Sequence, residues 1–167
     1  MVRLTVAILL FASALLLAAP DPQEAAVLAV VQRLFDGMAA RDAAVLRAVM
    51  LPDGRYFSVR ADNKIGGGTN SEFIERIAAS KENLLERMWN PRVMIHGSIA
   101  SVWAPYDFHR NRKFNHCGVD SFQLLKTTEG WKIATITYTV ETTGCQPSPL
   151  GPPAQLFIPN TRSAFSQ

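Results

Sequence analysis

The first half of the chain carries helical hydrophobic patterns. After Asp21-Pro22, an N-cap followed by proline, apolar residues recur at every third or fourth position, which predicts an amphipathic helix. A second short helix is predicted up to Pro52, and the capping box of Thr69 and Glu72 predicts a third. The apolar positions of the three helices are Val27, Val31, Leu34, Phe35, Met38, Leu46, Val49, Met50, Phe73, Ile74 and Ile77.

The second half carries extended patterns, with alternating or β-branched and aromatic residues. The glycine-rich stretch 62–70 predicts a flexible loop. Helices followed by a run of antiparallel strands predict an α+β domain in which the helices cover one face of the sheet. The predicted strands are 55–59, 84–89, 92–96, 99–109, 114–126 and 131–143.

The last two strands form a predicted hairpin around Glu129-Gly130. Trp131 and Ile133 have the opposite parity from Ile136 and the residues after it, so one extra residue is needed to place all of them on one face. We therefore predict a β-bulge near Ala134 or Thr135. The resulting register pairs Phe122 with Tyr138, Leu124 with Ile136 and Asp120 with Val140, and it places His116 on the same face as Asp120.

The strand 99–109 has one face that is more apolar than the other. Its inward residues are predicted to be Ala100, Val102, Ala104, Tyr106 and Phe108. Trp103 and Asp107 then face outward, where they are candidates for a homodimer surface on the outer side of the sheet.

The chain divides into three segments. Residues 1–19 carry Arg3 and a run of about 16 apolar residues, which predicts a cleavable signal peptide, with an uncleaved anchor helix as the alternative. Residues 20–145 form one domain, and residues 146–167 form a proline-rich tail. We expect a secreted or periplasmic protein that does not bind the membrane after signal removal.

The net charge of the chain is small. Lysine and arginine number 17 against 14 acidic residues, and loss of Arg3 with the signal peptide leaves a net charge of +2. No nucleic-acid partner is expected from such a scattered balance. The tight basic group His109, Arg110, Arg112 and Lys113 predicts a solvated hairpin tip, with an anion site as the alternative.

Two cysteines, Cys117 and Cys145, lie in the predicted exported part. Export permits a disulfide, and we predict one bridge between them, with two separate thiols as the alternative. The predicted register places Cys117 opposite Thr143, two residues from Cys145.

The strand pattern resembles a known superfamily. The segments concerned are Ala100-x-Val102, Tyr106-Asp-Phe108, His116-Cys-Gly-Val-Asp120 with Phe122 and Leu124, and Gly130-Trp-Lys-Ile133. They resemble the nuclear transport factor 2-like superfamily, and within it bacterial SnoaL-like proteins of the lumazine-binding family, over Pro22 to Cys145.

This resemblance implies a cone-shaped, cystatin-like α+β roll. Three helices in the N-terminal half pack on the concave face of a curved, mainly antiparallel sheet, and many members dimerise through the outer face. Members include isomerases, dehydratases, epoxide hydrolases and polyketide cyclases, alongside many proteins without known catalysis, so the fold alone does not define a function.

Two enzymatic mechanisms can be compared with the sequence. A ketosteroid-isomerase-like base would lie near the end of the first strand, but residues 57–60 contain no acid and the next one is Asp62. Dehydratase-type chemistry could use Tyr106 as donor, His116 as base and Asp120 as orienting carboxylate. Yet His116 and Asp120 are four residues apart on one strand, about 13 Å, which is too far for a direct hydrogen bond.

Other chemistries lack their sequence signatures. His96, His109 and His116 show no metal-ligand spacing, no G-x-S-x-G elbow is present, and the glycines at 66–68 do not match a phosphate loop. No metal and no cofactor are therefore expected.

Two hypotheses follow. The first is an exported binding or accessory domain whose apolar cone holds a small apolar or aromatic ligand. The second is a small lyase or isomerase that uses His116, Asp120 and Tyr106 on a small apolar carbonyl or hydroxyl substrate. A shifted pKa of His116 or Asp120 inside a deep cavity would favour the enzyme. The predicted ligand-binding residues are Tyr56, Tyr106, Phe108, His116, Asp120, Phe122 and Tyr138.

Overall fold

The computed structural model describes residues 21–153. The predicted signal peptide and the end of the tail, with Leu156, Phe157 and Ile158, lie outside the described residues. The described chain forms three helices and seven strands. The helices are α1 (Pro22–Ala40), α2 (Ala43–Val49) and α3 (Asn70–Ala79), and the strands are β1 (Met50–Arg60), β2 (Ile65–Thr69), β3 (Leu84–Met88), β4 (Arg92–His96), β5 (Ile99–Arg110), β6 (Lys113–Thr127) and β7 (Gly130–Val140).

Each helix begins at a capping residue that satisfies free backbone N–H groups. The Asp21 carboxylate accepts from the Gln23 N–H at 2.8 Å, as predicted for the start of α1. The predicted capping box of Thr69 and Glu72 is present at the start of α3. The second helix is shorter than predicted, because Met50 already has extended backbone angles and begins β1.

The strands form one curved sheet with the order β2-β1-β7-β6-β5-β3, and β4 pairs with the other half of β5. Strands β1 and β7 are parallel, and every other described pairing is antiparallel. The helices cover one face and bury a single apolar core with the sheet. The fold class is therefore the predicted α+β roll. Within residues 21–153, no helix combines the length and apolarity needed to cross a bilayer.

The glycine-rich stretch is a strand and not the predicted flexible loop. Residues 65–69 form β2, where Gly67 pairs with Phe57 of β1. A Cβ atom on Gly67 would lie 2.5 Å from the Tyr56 carbonyl oxygen, closer than real contacts allow. Glycine is therefore required here by the close approach of β1, although its low β-propensity hides the strand in the sequence.

The predicted β-bulge is present at Ala134, because Gln123 pairs with Thr135 and Leu124 pairs with Ile133. The predicted register is wrong by two residues. The turn consists of Thr128 and Glu129, one residue earlier than predicted, and this moves every partner by two. The observed pairs are Phe122 with Ile136 and Asp120 with Tyr138. A shift of two leaves each side chain on its predicted face.

The outer face of the sheet is partly covered. Trp103 is 55 % exposed, as predicted, but Asp107 is buried. The Arg87 side chain holds the Asp107 carboxylate, with Nε at 2.9 Å from Oδ1, and His109 packs beside it. His109 therefore does not belong to the solvated hairpin tip that was predicted for it, whereas Arg112 and Lys113 do.

The start of the tail is fastened to this outer face. Cys117 and Cys145 form the predicted disulfide, with an S–S distance of 2.05 Å. Cys117 bridges to Glu141 and not to Thr143, again two residues from the predicted partner. The Gly151 carbonyl accepts a hydrogen bond from Arg87 Nη1 at 3.0 Å.

Candidate functional site

A cavity of about 820 Å³ lies between the helices and the concave face of the sheet. All seven residues predicted to bind a ligand line it: Tyr56, Tyr106, Phe108, His116, Asp120, Phe122 and Tyr138. Helices α1 and α3 close the other side with Leu34, Met38, Phe73 and Ile77. The period-two alternation of β5, β6 and β7 and the bulge at Ala134 together place these residues on one wall.

The wall is largely aromatic. Tyr106 lies between His116 and Tyr138, and both rings meet it edge-on, with centroid distances of 5.6 and 6.4 Å. Phe108 packs against His116 at 5.0 Å. The two edge-to-face contacts favour one orientation of these rings relative to one another.

The Tyr106 hydroxyl is used within the protein. It donates to the Thr139 carbonyl oxygen at 2.6 Å, and the residue is fully buried. Gly118, which pairs with Tyr106, makes room for Thr139, since a Cβ atom there would lie 2.3 Å from the same carbonyl oxygen. Because a phenol has one proton, Tyr106 does not present a donor to the cavity in this arrangement.

His116 presents a neutral ring to the cavity. Burial lowers its pKa to about 4, and the Arg110 charge adds to the effect. Its Nδ1 lies 2.8 Å from the Asn115 amide oxygen, which can only accept, so this contact favours the tautomer with the proton on Nδ1. The other ring nitrogen, Nε2, is then an acceptor.

Asp120 does not contact His116 but is paired with Glu86 of β3. The two carboxyl groups lie within hydrogen-bonding distance of each other, although β5 runs between their strands. No described donor reaches Asp120 Oδ2, and two carboxylates can share a hydrogen bond only when one of them holds a proton.

The environment of the pair raises both pKa values. Burial is the main cause, and it raises the pKa of Glu86 to about 7, with the charge of Asp107 adding to it. Burial and the charge of Glu86 raise the pKa of Asp120 well above its usual range. Asp120 is 1 % exposed, whereas Glu86 is half-buried and faces the cavity. The pair therefore holds a proton to a higher pH than ordinary carboxyl groups do, and Glu86 is the member that a molecule in the cavity can reach.

A second polar cluster lies on the β1 and α3 side of the cavity. Arg76 Nη1 donates to the Tyr56 hydroxyl at 2.7 Å, and its guanidinium stacks on the Tyr56 ring at 4.8 Å. The Tyr56 hydroxyl proton is therefore available to an acceptor in the cavity. Ser58 pairs with Tyr138 across β1 and β7, and both residues line the cavity.

Charged side chains surround the outer part of the cavity. Arg60 and Arg110 are both exposed, and Arg110 Nη1 lies 3.5 Å from the Glu82 carboxylate. Within residues 21–153, Arg60 forms no ion pair. The outer part of the cavity is therefore cationic and the acid pair lies further inside.

The three candidate catalytic residues share the cavity but do not form a hydrogen-bonded chain. Tyr106 is bound to Thr139, His116 to Asn115 and Asp120 to Glu86. Among the described residues, no group of three acidic, histidine or cysteine side chains is placed to hold a metal ion.

Sequence reasoning missed Glu86 and Arg76. A signal for Glu86 exists, because alternation places it on the same strand face as the apolar Leu84 and Met88. Nothing in the local sequence identifies Asp120 as its partner, since the two residues meet only after β3, β5 and β6 have assembled.

Solved structures share this fold. A nuclear transport factor 2-like protein of unknown function from Shewanella baltica is 22 % identical, with a TM-score of 0.56 over 72 % of this chain and 95 % of that one. A superfamily protein from Salmonella enterica is 13 % identical, with a TM-score of 0.60 over 74 % and 94 %. A protein from Streptomyces avermitilis, described as a "putative dehydratase", is 15 % identical, with a TM-score of 0.59 over 73 % and 98 %.

These likenesses establish the fold, and the sequence itself establishes the family. No curated protein sequence matches the chain. A family model described as "Putative lumazine-binding" matches residues 22–139, which is most of the domain. The chain therefore belongs to this family and has the nuclear transport factor 2-like fold.

Proposed function

We propose that this protein binds a small, largely apolar or aromatic molecule in the cavity between the helices and the sheet. The observation that carries the proposal is the cavity itself, which at about 820 Å³ lies in the range of small-molecule sites. Apolar walls with a few converging polar groups are typical of such sites.

The polar groups would orient the ligand. The neutral His116 offers an acceptor at Nε2, Tyr56 offers a hydroxyl donor, and Glu86 offers a carboxyl group. Arg60 would hold an anionic or acceptor group at the outer end. The ring faces of Phe108 and Tyr138 would cover the apolar part.

The binding would take place outside the cytoplasm. A disulfide between Cys117 and Cys145 is the kind of crosslink that persists in oxidising compartments. With residues 1–19 as a cleaved signal peptide, the mature domain would act as a secreted or periplasmic binding or accessory protein.

The test is retention of a native ligand. Protein purified from its own host is examined by native mass spectrometry, which we expect to show a bound small molecule that leaves on denaturation. Ser58→Trp, which fills the cavity, is expected to abolish the adduct. Ser101→Trp places the same bulk on the outer face of β5 and is expected to keep it. Adducts of equal amount in both variants would place the ligand elsewhere and contradict the proposal.

A second candidate is acid–base catalysis by a small lyase or isomerase. The observation in its favour is the buried carboxyl pair, because an acid with a pKa about 7 inside a cavity is suited to proton transfer at neutral pH. In this candidate, Glu86 takes the role first assigned to His116, and the Tyr56 hydroxyl donates to the developing oxyanion.

This candidate is tested by proton exchange on a carbon acid. In D₂O, the enzyme is expected to accelerate exchange of the acidic C–H protons of 2-tetralone, as followed by NMR, and Glu86→Gln is expected to abolish the acceleration. Glu75→Gln removes an exposed carboxylate of α3 and serves as control. No acceleration by the unmodified protein, or acceleration that survives Glu86→Gln, would count against it.

A further inference from the structure

The acid pair has no cationic partner inside the protein. Among residues 21–153, the lysine, arginine and histidine side chains that form ion pairs do so with Glu75, Asp62, Asp107, Glu82 and Glu129. Neither Glu86 nor Asp120 is included. A buried carboxylate costs free energy unless a positive charge or several hydrogen-bond donors compensate it. A positively charged ligand can supply the compensation that this site lacks.

The surroundings of Glu86 suit an organic cation. Tyr106 and Tyr138 lie close to Glu86. Burial raises the pKa of both phenols, and the negative charge of Glu86 adds to this effect. Phe108 pairs with Glu86 across β3 and β5 and also lines the cavity. Aromatic faces beside a carboxylate attract ammonium groups through the ring quadrupole.

We infer that the ligand of this cavity carries a basic nitrogen, which binds as an ammonium ion against Glu86 while its apolar body lies on the aromatic wall. This inference rests on the proposed binding function and names the chemical class of the ligand. Asp120, which is almost inaccessible, is a positioning residue that holds the Glu86 carboxyl group and not a ligand contact.

The charged groups around Glu86 define the pH behaviour of this contact. Asp120 faces it from β6, Asp107 and Tyr106 act from β5, and Tyr138 acts from β7. Helix α1 presents only the apolar Leu34 and Met38 to the cavity, and Arg76, the charged residue that α3 presents, is bound to the Tyr56 hydroxyl. An incoming ammonium group offsets the burial of Glu86 and the negative charge of Asp107, which both raise its pKa. The ammonium group therefore favours the ionised form of Glu86 and displaces into the buffer the fraction of a proton that Glu86 holds at neutral pH.

The experiment compares three probes that share one ring system: 2-(1-naphthyl)ethylamine, 2-(1-naphthyl)ethanol and 1-naphthaleneacetate. Binding at pH 7 is followed by naphthalene fluorescence and by calorimetry. The amine is expected to bind about tenfold more tightly than the alcohol, which is the usual strength of a charged hydrogen bond. Glu86→Gln is expected to remove that advantage without weakening the alcohol.

Glu75→Gln is the matched control, since it removes an exposed carboxylate that does not line the cavity and should leave all three affinities unchanged. Calorimetry in two buffers of different ionisation enthalpy gives a second readout. The amine is expected to release a fraction of a proton per molecule bound to the unmodified protein, and none when bound to the Glu86→Gln variant.

The outcomes separate this inference from the proposed function. If the alcohol binds as tightly as the amine, or if Glu86→Gln leaves the amine unaffected, the cavity binds small molecules but the inference is wrong. If none of the three probes binds, the proposed function and the inference fail together. If Glu86→Gln does not fold, Glu86→Asp is used in its place, because the shorter side chain withdraws the carboxylate from the ligand. This variant must weaken amine binding and leave alcohol binding unchanged.

Discussion

The hydroxyl of Tyr106 donates to the carbonyl oxygen of Thr139 over 2.6 Å, and this bond joins β5 to β7 across β6. Tyr106→Phe removes the hydroxyl donor and leaves the Thr139 carbonyl oxygen without this hydrogen bond. We expect a loss of about 1–2 kcal/mol in the free energy of unfolding, measured with denaturant. Tyr138→Phe, a half-buried position on the same wall, is the control and should cost less. Unchanged stability together with lost ligand binding would instead identify the Tyr106 hydroxyl as a ligand contact.

Glu86 makes stability depend on pH with a definite sign. Its pKa is raised from 4.5 to about 7 in the folded protein, so the folded chain keeps a proton that the unfolded chain has lost. Stability conferred by this group is full below pH 4.5 and falls as the pH rises to about 7. Glu86→Gln should therefore gain stability relative to the unmodified protein over this interval, on the order of 3 kcal/mol.

The measurement is denaturant unfolding of both proteins from pH 4 to pH 8. Glu75→Gln, at an exposed site, should follow the unmodified protein throughout. A difference between the Glu86→Gln variant and the unmodified protein that stays constant with pH would show that Glu86 has an ordinary pKa.

His116 makes stability depend on pH with the sign opposite to that of Glu86. Its pKa is lowered from 6.5 to about 4, chiefly by burial, so the folded protein resists protonation. The stability that depends on the neutral ring is present above pH 6.5 and is lost as the pH falls towards 4. NMR of the ring proton at Cε1 should show a midpoint of about 4, moved upward by Arg110→Gln. A midpoint near 6.5 would mean that the ring is solvated.

The disulfide should contribute substantially to stability. Cys117 and Cys145 are separated by 28 residues, and the loop-entropy relation gives about 3–4 kcal/mol for a loop of this length. The double variant Cys117→Ser, Cys145→Ser should lose this amount in guanidinium unfolding and become insensitive to reductant. Equal stability of the oxidised and reduced forms of the unmodified protein would contradict the expectation.

Period-two alternation was enough to find the cavity wall. It placed Phe122, Tyr138 and Asp120 on one face and located the bulge at Ala134, because parity depends only on the local sequence. The exact register was missed, since it depends on which two residues form the turn, and Thr128-Glu129 has no strong turn signal. A register error of two residues leaves each side chain on its predicted face of the sheet, so the residues of the cavity wall were still identified.

The contacts that give the site its chemistry could not be found in this way. Glu86 and Asp120 are 34 positions apart and lie on strands separated by β5, so their contact depends on the curvature of the assembled sheet. Asp107 illustrates the same point on the other face. Its outward direction was predicted, but its burial comes from Arg87, on a strand whose partner was unknown.

The hydrogen bond from Arg87 to the Gly151 carbonyl has a practical consequence for experiments. Arg87 points to the opposite side of β3 from Glu86, so the backbone near Gly151 lies on the convex side of the sheet. A purification tag or surface linker fused after Pro153 would start from that side. Sensor chips could then hold the domain by the face of the sheet that does not line the cavity.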